Sequence, residues 1–327
     1  MKYHKEGISL RVLQLDLPLF FLLRTWRAPS YKQKVTTYSH LTAGRLGGKS
    51  YLNTKSTDSV LIILRLNLQH RLIVKAFDDK LILAPVNLKP GDRVLESGAG
   101  SEGVWVLEFW KEQSQKNIPL VIECIDISRD QFPSQVPSDI HFSLRSILDV
   151  PPEWSNNFTF VHQRLLVAAL PRPLWHEALA QIFRVLKPGG WVEFVESHAK
   201  VRKFVVGPNS KKLSLISDRM FEEKNFVGDT EVYLPPVMRE MGFVDVRCEG
   251  KDVPISQTID DGLDRVQIWY DLWKGFKGSI LAGGGYGIVS SEEEYESLLL
   301  GCKDEWNNST EAYTTYWTII ARKPESP

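Results

Sequence analysis

A pair of glycines, Gly98 and Gly100, stands between a short apolar run and a helix-forming one, and this constrains the fold more than any other feature of the chain. Arg93-Val94-Leu95 reads as a buried strand that ends in Glu96. The turn Gly98-Ala99-Gly100-Ser101-Glu102-Gly103 follows, and Val104 to Gln113 reads as a helix. Glycine lets the backbone approach a ligand closely, while the helix start offers unpaired N–H groups and the positive end of a dipole. Leu120 to Ile125 is a second strand, and it ends at Asp126, 26 residues beyond Gly100. A carboxylate there accepts both hydroxyls of a ribose, so the spacing predicts a ligand that carries a nucleoside.

The same alternation continues. Asn157 to Val161 is strand-like, and Trp175, Ala178, Leu179, Ile182, Phe183 and Leu186 fall on one face of a helix. Lys187-Pro188-Gly189-Gly190 ends that helix, and Trp191 to Val195 is the next strand. Repeated strand–helix–strand units imply a parallel sheet covered on both faces. Upstream, Ser59 to Phe77 reads as one amphipathic helix, whereas residues 1–57 show no clean periodicity and read as an irregular N-terminal segment. Downstream, helices are expected at Val232–Met241, Leu263–Phe276 and Glu292–Leu300, with strands at Val244–Arg247 and Tyr313–Ala321. These place helical cap elements at 58–77 and about 205–305 on a domain spanning 58–327.

Forty Lys and Arg balance forty Asp and Glu, which argues against nucleic acid or a polyanion as partner. Ten tryptophans suit a chain that builds an apolar ligand pocket. Cys124, Cys248 and Cys302 lack metal-ligand spacing, so no metal is expected, and an odd number of separated thiols favours a reducing compartment. The apolar run Val12 to Leu23 is broken by Asp16 and Pro18 and is too short for a membrane span. These features point to a cytoplasmic protein, with a nuclear location also compatible, acting on a small molecule without membrane or nucleic-acid partners. Nothing in the sequence indicates a protein partner.

Three chemistries compete as readings of the chain. Gly98, Gly100 and Gly103 fit G-x-G-x-x-G, and Tyr270 and Lys274 form a Tyr-x-x-x-Lys pair, so a nicotinamide-dependent oxidoreductase is one reading. Ala43 to Ser50 matches a loose phosphate-binding loop, although the preceding segment is too polar for a buried strand. The third is methyl transfer.

Several stretches together resemble the fungal class I methyltransferases of the LaeA-like and UMTA-like group. They are Leu66-Asn67-Leu68-Gln69-His70-Arg71-Leu72, Leu83-Ala84-Pro85 and Lys89-Pro90-Gly91-Asp92-Arg93-Val94-Leu95-Glu96, then Ile125-Asp126-Ile127-Ser128, Phe160-Val161-His162-Gln163-Arg164-Leu165-Leu166 and Arg184-Val185-Leu186-Lys187-Pro188-Gly189-Gly190-Trp191-Val192-Glu193, with Gly283-Gly284-Gly285-Tyr286-Gly287 and Ala321-Arg322-Lys323-Pro324 further on. The resemblance implies an α/β, Rossmann-like fold: a seven-stranded, mostly parallel sheet with helices on both faces and an antiparallel last strand. It also implies S-adenosyl-L-methionine as cofactor. Carried over residue by residue, Glu96, Gly98, Ala99 and Gly100 line the methionine and ribose, and Asp126 with Ile127 holds the ribose. Ser146 and Ile147 flank the adenine, and His162, Gln163 and Arg164 lie near the methionine.

Three departures stand out. Glu102 is inserted relative to Gly-x-Gly-Ser/Thr-Gly, which starts the helix one residue late and brings a carboxylate towards that of the cofactor. Thr159 stands where relatives often have Asp, and Ser146 lacks the acidic partner that many relatives offer the adenine amine. For the transfer itself, His162, His198 and His70 are candidate bases, and Glu196, Trp269, Tyr270 and Trp273 are candidate walls of the acceptor pocket, with O-methylation of a secondary metabolite expected. A regulatory protein that keeps the fold but has altered catalysis is the alternative.

Overall fold

The structure is a computed structural model and describes residues 57–199, 203–256 and 263–325. The expectations for the irregular N-terminal segment, the apolar run 12–23 and the loop 43–50 lie outside the described residues.

Seven strands form one sheet: β1 (Arg93–Ser97), β2 (Val121–Asp126), β3 (Ile140–Leu144), β4 (Phe158–Arg164), β5 (Leu186–Ser197), β6 (Val244–Pro254) and β7 (Tyr313–Arg322). Their spatial order is β3-β2-β1-β4-β5-β7-β6. The first five run parallel, while β7 is antiparallel to both β5 and β6. The strand order reverses between β1 and β4, so the carboxyl ends of those strands, where the glycine turn lies, form the crevice in which such sheets bind ligands.

Helices cover both faces because successive strand residues point to opposite sides and both sets are apolar. On one face Leu95, Val161, Val192, Phe194 and Ile319 pack against α3 (Arg172–Val185) and α5 (Thr230–Glu240), with Trp175 at the centre. On the other, Val94, Ile122, Ile140 and Phe160 meet Trp105, Val106 and Phe109 of α2 (Val104–Gln115). The long α1 (Thr57–Ala76) lies over the carboxyl end of the sheet, packing Leu72 and Ile73 against Val195, Val253 and Tyr316.

A further apolar cluster joins α4 (Pro208–Glu223), α6 (Arg265–Gly275), α7 (Lys277–Ala282) and α8 (Glu292–Asn307) through Leu213, Ile216, Trp269, Trp273, Tyr295 and Trp306. The expected helical cap at about 205–305 therefore needs correction: α5 and β6 within that span belong to the sheet layer. The Lys187-Pro188-Gly189-Gly190 segment is also not a separate turn. It bulges within β5, between Leu186 opposite Phe158 and Trp191 opposite Phe160, and is tied to the chain end by Gly189 N–H on the Lys323 carbonyl at 3.0 Å. Among the described residues, no helix is long and apolar enough to cross a membrane.

Candidate active site

The turn after β1 is held by the neighbouring strand. Gly98 and Ala99 donate their N–H groups to the Ile125 carbonyl at 2.9 and 3.0 Å, and Gly100 N–H reaches Asp126 Oδ2 at 3.0 Å. Gly98 has φ +74, a backbone setting that side chains rarely adopt, and the Leu166 side chain lies 3.3 Å from where a Cβ would stand. The other oxygen of Asp126 accepts Ser128 N–H at 2.9 Å. Burial raises the Asp126 pKa, and the backbone N–H groups of Ser128, Gly100 and Ile127 pull against that rise. A carboxylate oxygen has more than one lone pair, so both oxygens can still accept ribose hydroxyls.

Glu102 alters the way the helix begins. It adopts φ 54 and ψ 24, Gly103 follows at φ 65 and ψ 31, and α2 starts only at Val104, as the inserted residue predicts. A side chain at Gly103 would meet Phe142 Cζ at 2.7 Å, so glycine is required there by space as well as by conformation.

Across the sheet, Glu96, His162 and Glu193 stand side by side on the face covered by α2. His162 Nδ1 is 2.6 Å from Glu96 Oε2, and the imidazole stacks on Trp105 with centroids 3.7 Å apart. Glu193 accepts the N–H groups of Leu83 and Ala84 at 2.7 and 2.6 Å, fixing the segment that covers this row. Burial lowers His162 to a pKa of about 3 and raises Glu96 and Glu193. On the opposite face, Gln163 accepts Ser97 Oγ–H at 2.9 Å, while its buried Nε2 has no hydrogen-bond partner among the described residues.

His70 sits between two charged groups. Arg164 Nη1 lies 2.8 Å from its Nδ1, and Glu108 Oε2 lies 2.6 Å from its Nε2. A guanidinium only donates, so Nδ1 must accept and Nε2 must carry the proton that Glu108 receives. Burial lowers His70 to about 4, the neighbouring Arg164 charge adds to the fall, and Glu108 opposes it. Its lone pair is occupied, and so is the Nδ1 edge of His162; neither presents that edge as a base. His198 Nδ1 is 2.6 Å from Glu231 Oε1 but is not aligned for a hydrogen bond.

The remaining candidates separate. Glu196 is fully buried and accepts the N–H groups of Leu166 and Val167 at 3.0 and 2.9 Å, shaping the loop after β4, and burial raises its pKa to about 8. Trp269 and Trp273 belong to the helical cap core, where both pack on Phe204. Tyr270 is half-buried, with the Lys303 ammonium 5.1 Å from its ring. Lys274 lies 5.9 Å from that ring. Ile147 is buried in the main core, and Ser146 Oγ accepts Leu148 N–H at 3.2 Å. The sequence gives no role to Glu193, Arg65, Gln69 or Tyr316; Gln69 and Glu193 lie inside the quoted motifs, whereas Arg65 and Tyr316 carry no local signal.

The sheet order, the antiparallel β7 and the glycine turn between β1 and α2 together define the class I methyltransferase fold. A family model described as a methyltransferase domain matches residues 68–231, half of the chain, and the chain belongs to that family. Over 255 residues it is 35% identical to the N-methyltransferase tcpN of Claviceps purpurea, covering 74% of this chain and 87% of that protein. It is 40% identical over 134 residues to the N-methyltransferase sirN of Leptosphaeria maculans, covering 40% of this chain and 45% of that protein. It is 38% identical over 135 residues to the N-methyltransferase gliN of Aspergillus fumigatus, covering 40% of this chain and 46% of that protein. Each of the last two matches thus spans less than half of the relative's length.

Proposed function

We propose that the chain transfers a methyl group from S-adenosyl-L-methionine to a nitrogen of a small secondary metabolite. The observation that carries this reading is the Asp126 carboxylate clasping the Gly100 N–H at the joined ends of β1 and β2, in a chain of the methyltransferase family. The residues suit the cofactor. Asp126 has lone pairs for two ribose hydroxyls, Gly98 takes the positive φ that turns the backbone towards Asp126, and Gln163 Nε2 offers a buried donor. Ile127, Ser146 and Ile147 would flank the adenine, and Glu96, Ala99 and Arg164 the methionine end. When bound, the sulfonium supplies an electrophilic methyl group; the protein binds, orients and excludes water.

Nitrogen rather than oxygen is supported by the relatives, three of which are named N-methyltransferases. This replaces the expectation of O-methylation. A neutral nitrogen brings its own lone pair, which agrees with a site whose His70 and His162 are already engaged in hydrogen bonds. The LaeA-like and UMTA-like grouping rests on the quoted sequence motifs, and the unit 58–327 would act as one catalytic domain with α1 and the α4/α6/α8 cluster as its cap. Tyr270 and Glu196 remain candidates for the acceptor side, the latter by shaping the loop after β4.

Incubation with methyl-labelled donor and a panel of small amines, amides and phenols tests the reading, with the product resolved by NMR. Label on nitrogen is expected. Label on oxygen alone, or none from a protein that binds the donor, would contradict it. The second result would favour the fold-retaining regulatory reading, which draws on the irregular Glu102 turn.

A further inference from the structure

Three side chains at the carboxyl end of β5 are buried with polar atoms left bare. His198 follows β5, and its N–H on the Thr315 carbonyl at 2.9 Å extends the pairing with β7 by one residue. Thr230 and Glu231 open α5, and the loop before them is tied to the same strand end by Ala199 N–H on the Gly228 carbonyl at 2.9 Å. Glu231 Oε1 stands 2.6 Å from His198 Nδ1. The side chains of His198 and Glu231 are 9% and 7% exposed, and Thr230 is fully buried. Among the described residues, His198 Nδ1, Glu231 Oε2 and Thr230 Oγ1 have no hydrogen-bond partner.

The position is next to the donor's turn. Glu196 and His198 are two residues apart on one strand and share a face, about 7 Å from each other. Glu196 holds the N–H groups of Leu166 and Val167, and the Leu166 side chain lies 3.3 Å from where a Gly98 Cβ would stand. The loop after β4 therefore links the glycine turn to the His198–Glu231 pair.

A buried carboxylate is costly unless a donor, best a cation, meets it. No described lysine or arginine lies within ion-pair distance of Glu231. The carboxylate accepts only, the threonine hydroxyl accepts through its lone pairs, and an imidazole with its proton on Nδ1, towards Glu231, accepts at Nε2. Acceptors gathered about one negative charge match a cation that carries several N–H bonds, which is an ammonium group.

We propose that Glu231, His198 and Thr230 receive the protonated amine of the methyl acceptor, so that the acceptor is a basic amine rather than an amide or a phenol. The inference rests on the methyltransferase reading and deepens it by naming the acceptor class. Glu231 supplies the charge opposite to the ammonium, while His198 Nε2 and Thr230 Oγ1 accept its other N–H bonds and orient the nitrogen. The short, misaligned approach of His198 to Glu231 agrees with a site that tightens on its ligand.

Calorimetry on the full chain tests this. S-adenosylhomocysteine is titrated into wild type, Glu231→Gln, His198→Phe and Thr230→Val. Benzylamine and its neutral counterpart, benzyl alcohol, are then titrated into each saturated protein. Unchanged S-adenosylhomocysteine affinity reports that a variant is folded, and the near-isosteric Thr230→Val keeps the test open if a larger change unfolds the chain. In wild type benzylamine is expected to bind at least about tenfold more tightly than benzyl alcohol, and to lose at least about tenfold in Glu231→Gln and about threefold in Thr230→Val. His198→Phe weakens it in the same direction, and benzyl alcohol is unaffected by Glu231→Gln. A wild type that takes S-adenosylhomocysteine but not benzylamine, equal affinity for the amine and the alcohol, or amine binding indifferent to Glu231→Gln overturns the inference. Parallel loss of S-adenosylhomocysteine and benzylamine in all three variants makes the cluster structural and also overturns it. A wild type that binds no S-adenosylhomocysteine overturns the methyltransferase reading beneath it.

Discussion

His162 Nδ1 and Glu96 Oε2 meet at 2.6 Å between adjacent parallel strands, both residues almost fully buried and the imidazole stacked on Trp105. The contact makes His162 a support for the residue that leads into the glycine turn. His162→Gln is expected to destabilise the fold by about 1–3 kcal/mol, because the buried Glu96 carboxyl loses its partner and Trp105 its stacked ring. Urea unfolding measures it. A loss of catalysis with stability untouched would instead make His162 a base.

The pH dependence of stability has two opposed parts. His70 and His162 are held at about 4 and about 3 in the fold against 6.5 when unfolded, so the unfolded chain binds more protons in that window. Their stabilisation is lost as pH falls from about 6.5 towards 4 and below. His70 protonation also removes the acceptor that Arg164 uses, so α1 should loosen first. Hydrogen exchange of α1 between pH 7 and about 4 should show this, and His70→Asn should remove the dependence.

Glu196 acts in the other direction. Its carboxyl titrates near 8 in the fold against 4.5 when unfolded, so the folded state holds the extra proton between those values. Its stabilisation is full below pH 4.5 and is lost as pH rises through 8. Thermal melting across that range should decline in wild type and flatten in Glu196→Gln.

Glu102 holds a left-handed conformation with φ 54, which costs a non-glycine residue about 1 kcal/mol. Glu102→Gly is therefore expected to stabilise the chain by about that amount in denaturant unfolding. An unchanged or lowered stability would mean that contacts of the Glu102 side chain outweigh the strain.

The sheet was legible because its strands carry their own punctuation: apolar runs ending at Glu96 and Asp126, and helix faces with regular apolar spacing. The edge strand β3 escaped, since Ile140-His141-Phe142-Ser143-Leu144 alternates over only a few residues among polar neighbours. α4 escaped because serines and charged residues dilute its apolar face. In the site, the glycine turn and Asp126 follow from local spacing, but the chemistry of the histidines does not. Whether His70 is a base depends on Arg164 and Glu108, which reach it from 94 and 38 residues away. The Gln69–Tyr316 contact spans 247 residues, and nothing local marks it.

Calorimetric titration of wild type and Asp126→Ala with S-adenosyl-L-methionine, and separately with NAD(P)H and ATP, tests the central claim most directly. The account predicts saturable binding of S-adenosyl-L-methionine alone, weakened at least about tenfold by the substitution, because the ribose loses its carboxylate and the Gly100 N–H its acceptor. Binding of a nicotinamide cofactor or ATP instead, or S-adenosyl-L-methionine binding indifferent to Asp126, would contradict it.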